Sequence, residues 1–108
     1  MSTVCTIESV DQFKSLVKRD KITAIQISLE ACGGCKQTAP TFSKLAGELT
    51  NAEFYKMSGD DFEDFMEEID VQGYPNFRVY RNNELLLNYV GSKSDKVEAQ
   101  IKEAVSKA

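Results

Sequence analysis

The sequence contains no histidine, no tryptophan, three cysteines and two prolines in 108 residues. A structural zinc site takes about four cysteine or histidine ligands. With no histidine and three cysteines one chain falls short, leaving open only a cluster shared between two chains. An odd, low cysteine count is unlike the dense frameworks of small secreted proteins, so the expected setting is reducing and cytoplasmic. No apolar run approaches the roughly 20 residues that span a membrane. The segment from Met1 to Ile7 lacks the basic stretch and apolar core of a secretory signal. Basic residues never cluster beyond Lys18-Arg19, and the formal net charge is −4. Neutralising phosphates requires clustered positive charge, so no nucleic-acid partner is expected, and no membrane partner either.

What is present suits one domain over residues 1–108, with 42% hydrophobic and 28% charged residues and core enough without disulfide staples. The informative feature is Cys32-Gly33-Gly34-Cys35, where the apolar run from Ile22 to Leu29 gives way to a helical pattern. At a helix N-terminus, free backbone N–H groups and the positive end of the dipole favour a Cys32 thiolate. Cys35 falls one turn on, on the same face and within bridging distance. The pair reads as a dithiol switch. Cys5, in the first strand, is expected to be a buried small hydrophobe. A reactive or intermolecular thiol is the alternative.

Along the chain, Val4 to Ile7 predicts a strand. Ser9 with Gln12 predicts a capping box for a helix carrying Val10, Phe13, Leu16 and Val17, ending near Asp20. Lys21 to Leu29 predicts a central strand covered on both faces. A helix from Gly33 to Leu49 follows, with Ala39, Phe42, Leu45, Ala46 and Leu49 toward the core and a kink at Pro40. Ala52 to Met57 predicts a third strand. Phe62, Phe65, Met66 and Ile69 mark a short acidic helix with Asp60 and Asp61 favourably near its N-terminus. After Gly73-Tyr74-Pro75, an alternating strand from Phe77 to Tyr80 turns through residues 81–84 into Leu85 to Val90. Gly91 ends that strand, Ser92 or Ser94 caps, and Val97, Ile101, Ala104 and Val105 stripe a last helix. The order βαβαβαββα demands an α/β fold with a mixed five-stranded central sheet and four flanking helices.

This order, with Cys32-Gly33-Gly34-Cys35-Lys36, Ala39-Pro40, Tyr74-Pro75-Asn76-Phe77 and Val90-Gly91, resembles the thioredoxin family over nearly the whole chain. The resemblance implies the thioredoxin fold and a protein disulfide reductase, with Cys32 as nucleophile and Cys35 as resolving thiol. It implies a cis Pro75 facing the dithiol, and Tyr74 offering backbone groups to a substrate strand, with Gly91 beside them. The implied partners are disulfide-containing proteins and a thioredoxin-reductase-like flavoprotein drawing on NADPH, or another thiol reductant. The expected state is a monomer without metal or cofactor, and Gly33-Gly34 supplies no phosphate cradle for a nucleotide. A redox-weak binding module, or a more oxidising oxidase or isomerase, is the alternative.

The departures from the family pattern surround the dithiol. Gly34 stands where thioredoxins usually carry proline; glycine costs about 1 kcal/mol against alanine in a helix and loosens the turn. The expectation is a less negative potential, made more negative by Gly34→Pro. Gln26 stands in place of a buried aspartate and cannot accept a proton. Lys56 matches a lysine that often pairs with that aspartate; its amine is expected to reach solvent, and Gln26 to be a hydrogen-bonded core amide. Ser28 and Ala31 replace two tryptophans, so the rim is smaller, and Tyr74 is expected either to restore contact surface or to shield Cys32.

Overall fold

A computed structural model describes residues 3–108; Met1 and Ser2, where the reading of the N-terminal segment begins, lie outside them. The elements are β1 (Val4–Thr6), α1 (Val10–Val17), β2 (Ile22–Ser28), α2 (Gly33–Glu48), β3 (Ala52–Ser58), α3 (Glu63–Glu68), β4 (Asn76–Arg81), β5 (Glu84–Val90) and α4 (Ser94–Lys107). The strands lie in the order β1-β3-β2-β4-β5. β1 and β2 run parallel to β3, while β4 is antiparallel to both β2 and β5. The expected mixed sheet is the one formed.

Strand periodicity divides the core in two. On one face Ala24, Phe54, Phe77 and Val79 pack with Phe42 and Leu45 of α2 and Val97 and Ile101 of α4. On the other, Ile25, Ile27, Met57 and Tyr80 meet Phe13 and Val17 of α1 and Phe65 and Met66 of α3. Phe42 touches Phe54 edge-on at 5.1 Å, as Phe13 does Phe65 at 5.0 Å, a preferred arrangement of ring quadrupoles. β2 is buried from Ile22 to Ile27, as its nearly continuous apolar character requires.

Several local expectations change. Ala39 is exposed, and Thr38 and Cys35 occupy the core face of α2 with Phe42 and Leu45. Thr38 tolerates this because its hydroxyl donates to the Gly34 carbonyl at 2.9 Å. β4 does not alternate: Asn76 to Tyr80 are all buried, because the strand lies inside the sheet with helices on both faces. Neither Ser92 nor Ser94 caps α4; Lys93 is the cap residue, without a side-chain bond. At α1 Ser9 accepts the Gln12 N–H at 3.0 Å, but Gln12 reaches back to the Glu8 N–H at 2.7 Å instead of Ser9. Asp60 and Asp61 lie just before Phe62, the cap of α3, as expected, and Glu63 and Asp64 fill its first turn. Cys5 is exposed, on a three-residue strand at the edge of the sheet. At the β4–β5 turn Asn82 and Asn83 adopt φ of 53° and 65°, the left-handed pair that a two-residue hairpin needs.

Candidate active site

Cys32 is the N-cap of α2, in extended backbone (φ −141°, ψ 106°), so the helix begins immediately after the first sulfur. The two cysteines are joined as a disulfide, with Cα atoms 5.3 Å apart. Cys32 Sγ accepts the Cys35 backbone N–H at 3.2 Å, using one of the donors left free at the helix start. Exposure separates the two: Cys32 is half-buried, whereas Cys35 retains 4% of its surface. No acidic residue sits in the first turn of α2 to oppose negative charge at Cys32.

Two other loops meet this turn. Tyr74–Pro75 is cis, Pro75 is buried, and the Pro75 carbonyl accepts the Gly91 N–H at 3.3 Å. A Cβ added at Gly34 would lie 3.5 Å from Pro75 Cδ, so the proline stands directly against the dithiol turn. The Tyr74 ring turns toward Gly59, where a Cβ would come within 2.6 Å of it. Burial, then the nearby Asp60 and Glu63 carboxylates, push the Tyr74 phenol pKa up. The segment before Cys32 is pinned to the same region. Ser28 O accepts the Gly59 N–H at 2.8 Å, and the Glu30 N–H donates to Asp60 at 2.7 Å. Asp60 thus also serves the dithiol loop.

Behind Cys35 opens a cavity of about 390 Å³ lined by Gln26, Ser28, Cys35, Lys36 and Lys56 among others. Gln26 faces α2 because it shares a strand face with Ala24, and it is opposite Lys56 on β3. It is 6% exposed, a buried core amide as expected, and makes no side-chain hydrogen bond with a described residue. Its amide opens onto the cavity, where water satisfies such groups. Lys56 is exposed, as anticipated for a lysine whose stem lies along the strand. The structure therefore brings Gln26, Lys56 and Cys35 to one recess and places Gly34, Pro75 and Gly91 on the other side of the sulfurs.

A family model described as Thioredoxin matches residues 4–103. The chain belongs to the thioredoxin family. It is 32% identical over 96 residues to thioredoxin-1 of Schizosaccharomyces pombe, covering 89% of this chain and 93% of that one. The crystal structure of Malassezia sympodialis thioredoxin superposes with a TM-score of 0.88 at 28% identity, covering 97% of this chain and 93% of its own. Thioredoxin f from spinach chloroplast gives a TM-score of 0.84 at 27% identity, covering 95% and 94%. Family membership and the paired Cys32 and Cys35 make the chain a thiol–disulfide oxidoreductase of the protein disulfide reductase type.

Within this thioredoxin fold, a polar network around Arg78, a residue the sequence did not single out, supports the site. Arg78 is 3% exposed, yet its partners are neutral: Nε donates to Asn76 at 2.7 Å, Nη1 to the Tyr80 hydroxyl at 3.0 Å and Nη2 to Ile69 O at 2.8 Å. Asn76, fully buried beside Pro75, donates to Asn88 at 2.8 Å and to Tyr89 O at 3.1 Å. The network ties the end of α3, β4 and β5 together behind the cis-proline loop. Its one sequence signal was the polar alternation of Asn76, Arg78 and Tyr80 inside an otherwise apolar strand. A Cβ added at Gly91 would lie 2.6 Å from the Tyr89 hydroxyl, so a larger residue there displaces the Tyr89 ring.

Proposed function

We propose that this chain reduces protein disulfides with Cys32 as nucleophile and Cys35 as resolving thiol. In the reduced protein the Cys32 thiolate attacks one substrate sulfur; the substrate S–S bond breaks and its second sulfur leaves as a thiolate that takes up a proton. Cys35 then loses its proton and attacks Cys32 Sγ. The mixed disulfide breaks, the first substrate sulfur departs and is protonated, and two electrons have passed from the dithiol to the substrate. A thioredoxin-reductase-like flavoprotein, or another thiol reductant, returns the electrons. The observation that carries the assignment is the difference in access: Cys32 is only half-buried at the helix start, and Cys35 is 4% exposed one turn on.

An extended substrate segment pairs with the Tyr74 backbone, with Gly91 leaving room beside it. Pro75, being buried, holds that loop in place. The chain works as a monomeric electron carrier in the cytoplasm, and Gly33, Gly34, Gln26 and Lys56 tune its potential and rate. Dithiothreitol-coupled insulin reduction tests the reading. Cys32→Ser is expected to abolish turnover, and Cys35→Ser to accumulate a mixed disulfide with substrate. Negligible wild-type turnover, with partners still captured by a variant lacking both cysteines, would instead mark a binding module.

A further inference from the structure

Ser92 lies in the loop between β5 and α4, far from the dithiol in sequence. A Cβ built on Gly34 would nevertheless come 2.8 Å from Ser92 Cβ and 3.2 Å from Ser92 Oγ. Separations below 3.0 Å are not found between real side-chain carbons, so Ser92 fills the volume that any larger residue at position 34 needs. The next neighbour, Pro75 Cδ, would be at 3.5 Å, an ordinary contact. Ser92 alone therefore sets the limit. Its hydroxyl makes no hydrogen bond with a described residue, so the contact is one of shape.

We infer that Ser92 is a positioning residue for disulfide exchange: its Cβ braces the Gly33-Gly34 turn from across the site. The inference rests on the dithiol reading above. A loop between two cysteines that contains two glycines has the greatest freedom to lose when the disulfide closes. Bracing from Ser92 removes part of that freedom in the reduced protein and so favours closure. Because Gly91, next to Ser92, also holds the Pro75 carbonyl, one short loop aligns the substrate-facing proline with the sulfurs. Gly34→Pro by itself is then an ambiguous probe of potential, since the proline Cβ lands on Ser92.

The test is a cycle in the full chain between Gly34→Ala and Ser92→Gly, with Ser92→Ala as the conservative control. Two readouts are followed: the dithiol equilibrium with glutathione and the thermal midpoint of the oxidised protein. Ser92→Gly is expected to lower the equilibrium constant for disulfide formation by about tenfold, equivalent to about 30 mV less negative. Ser92→Ala keeps the Cβ and is expected to retain the wild-type constant. Gly34→Ala is expected to lower the midpoint in the wild type but raise it beside Ser92→Gly, where alanine's helix preference acts without the clash. The same sign in both backgrounds would overturn the inference. So would a Ser92→Gly variant that loses stability while its dithiol equilibrium stays put. A wild-type dithiol that does not exchange with glutathione would overturn the reductase reading and this inference with it.

Discussion

Gln26→Asp places a proton acceptor on the wall of the cavity that Cys35 lines, and it changes stability and rate in opposite directions. An unfolded aspartate titrates near 3.9, and full burial raises a carboxyl pKa by up to about 3–5 units. The residue is 6% exposed, so burial holds the folded carboxyl above its unfolded value, while the open cavity and Lys56, opposite on β3, keep the shift at or below the low end of that range. With the folded value above the unfolded one, the folded protein holds the extra proton from about pH 4 upward, and stability falls as pH rises through the folded value. At about 1.4 kcal/mol for each tenfold difference in proton affinity, the variant loses at most about 4 kcal/mol above that window and almost none of this below about pH 4. The missing methylene adds about 0.8 kcal/mol at every pH. A directly positioned base contributes about 10²–10⁴-fold to proton transfer, and a contact relayed through water falls below that range. Release of the leaving thiol from a Cys32–thionitrobenzoate mixed disulfide is therefore expected to quicken by about tenfold or more. Urea unfolding across pH and stopped-flow release supply the two measurements. A stability loss that ignores pH would refute the buried environment assigned to position 26. A pH-dependent loss with no gain in release rate would refute proton transfer through the cavity.

Two further outcomes follow from the supporting structure. Arg78→Met leaves Ile69 O and Asn76 without their buried donor and is expected to cost about 3 kcal/mol in urea unfolding. KM for protein disulfides should rise more than kcat falls, because the network backs the cis-proline loop; a loss below about 1 kcal/mol would show that the buried charge is neutral to stability. Glu53 is held at about 2, down from 4.5, first by the Tyr55 hydroxyl at 2.6 Å and then by Arg19 at 2.8 Å. A carboxylate whose folded pKa is depressed gives stability above its unfolded value that is lost as pH falls toward 2. With its side chain 37% exposed, solvent screening reduces the contribution to about 1 kcal/mol. The deficit of Glu53→Gln in urea should therefore be present at neutral pH and vanish through the same acid window; a deficit constant with pH would count against the pairing.

The residue pattern alone determined the element order, the mixed sheet and the position of Cys32 before a helix. Hydrophobic periodicity is local, and the Cys32-Gly33-Gly34-Cys35 spacing depends on one helical turn, so neither needs distant residues. Tertiary structure decided whatever depends on which surfaces meet. Cys5 reads as a core cysteine until β1 becomes the edge of the sheet, and β4 reads as half-solvated until β5 pairs outside it. Arg78 looks like a surface charge until Asn76, Tyr80 and the end of α3 surround it. Gly34 was legible as a departure from the thioredoxin pattern, but its reason was not. That reason is Ser92, 58 positions further along the chain and 2.8 Å from the Cβ that Gly34 lacks, a contact that only folding makes.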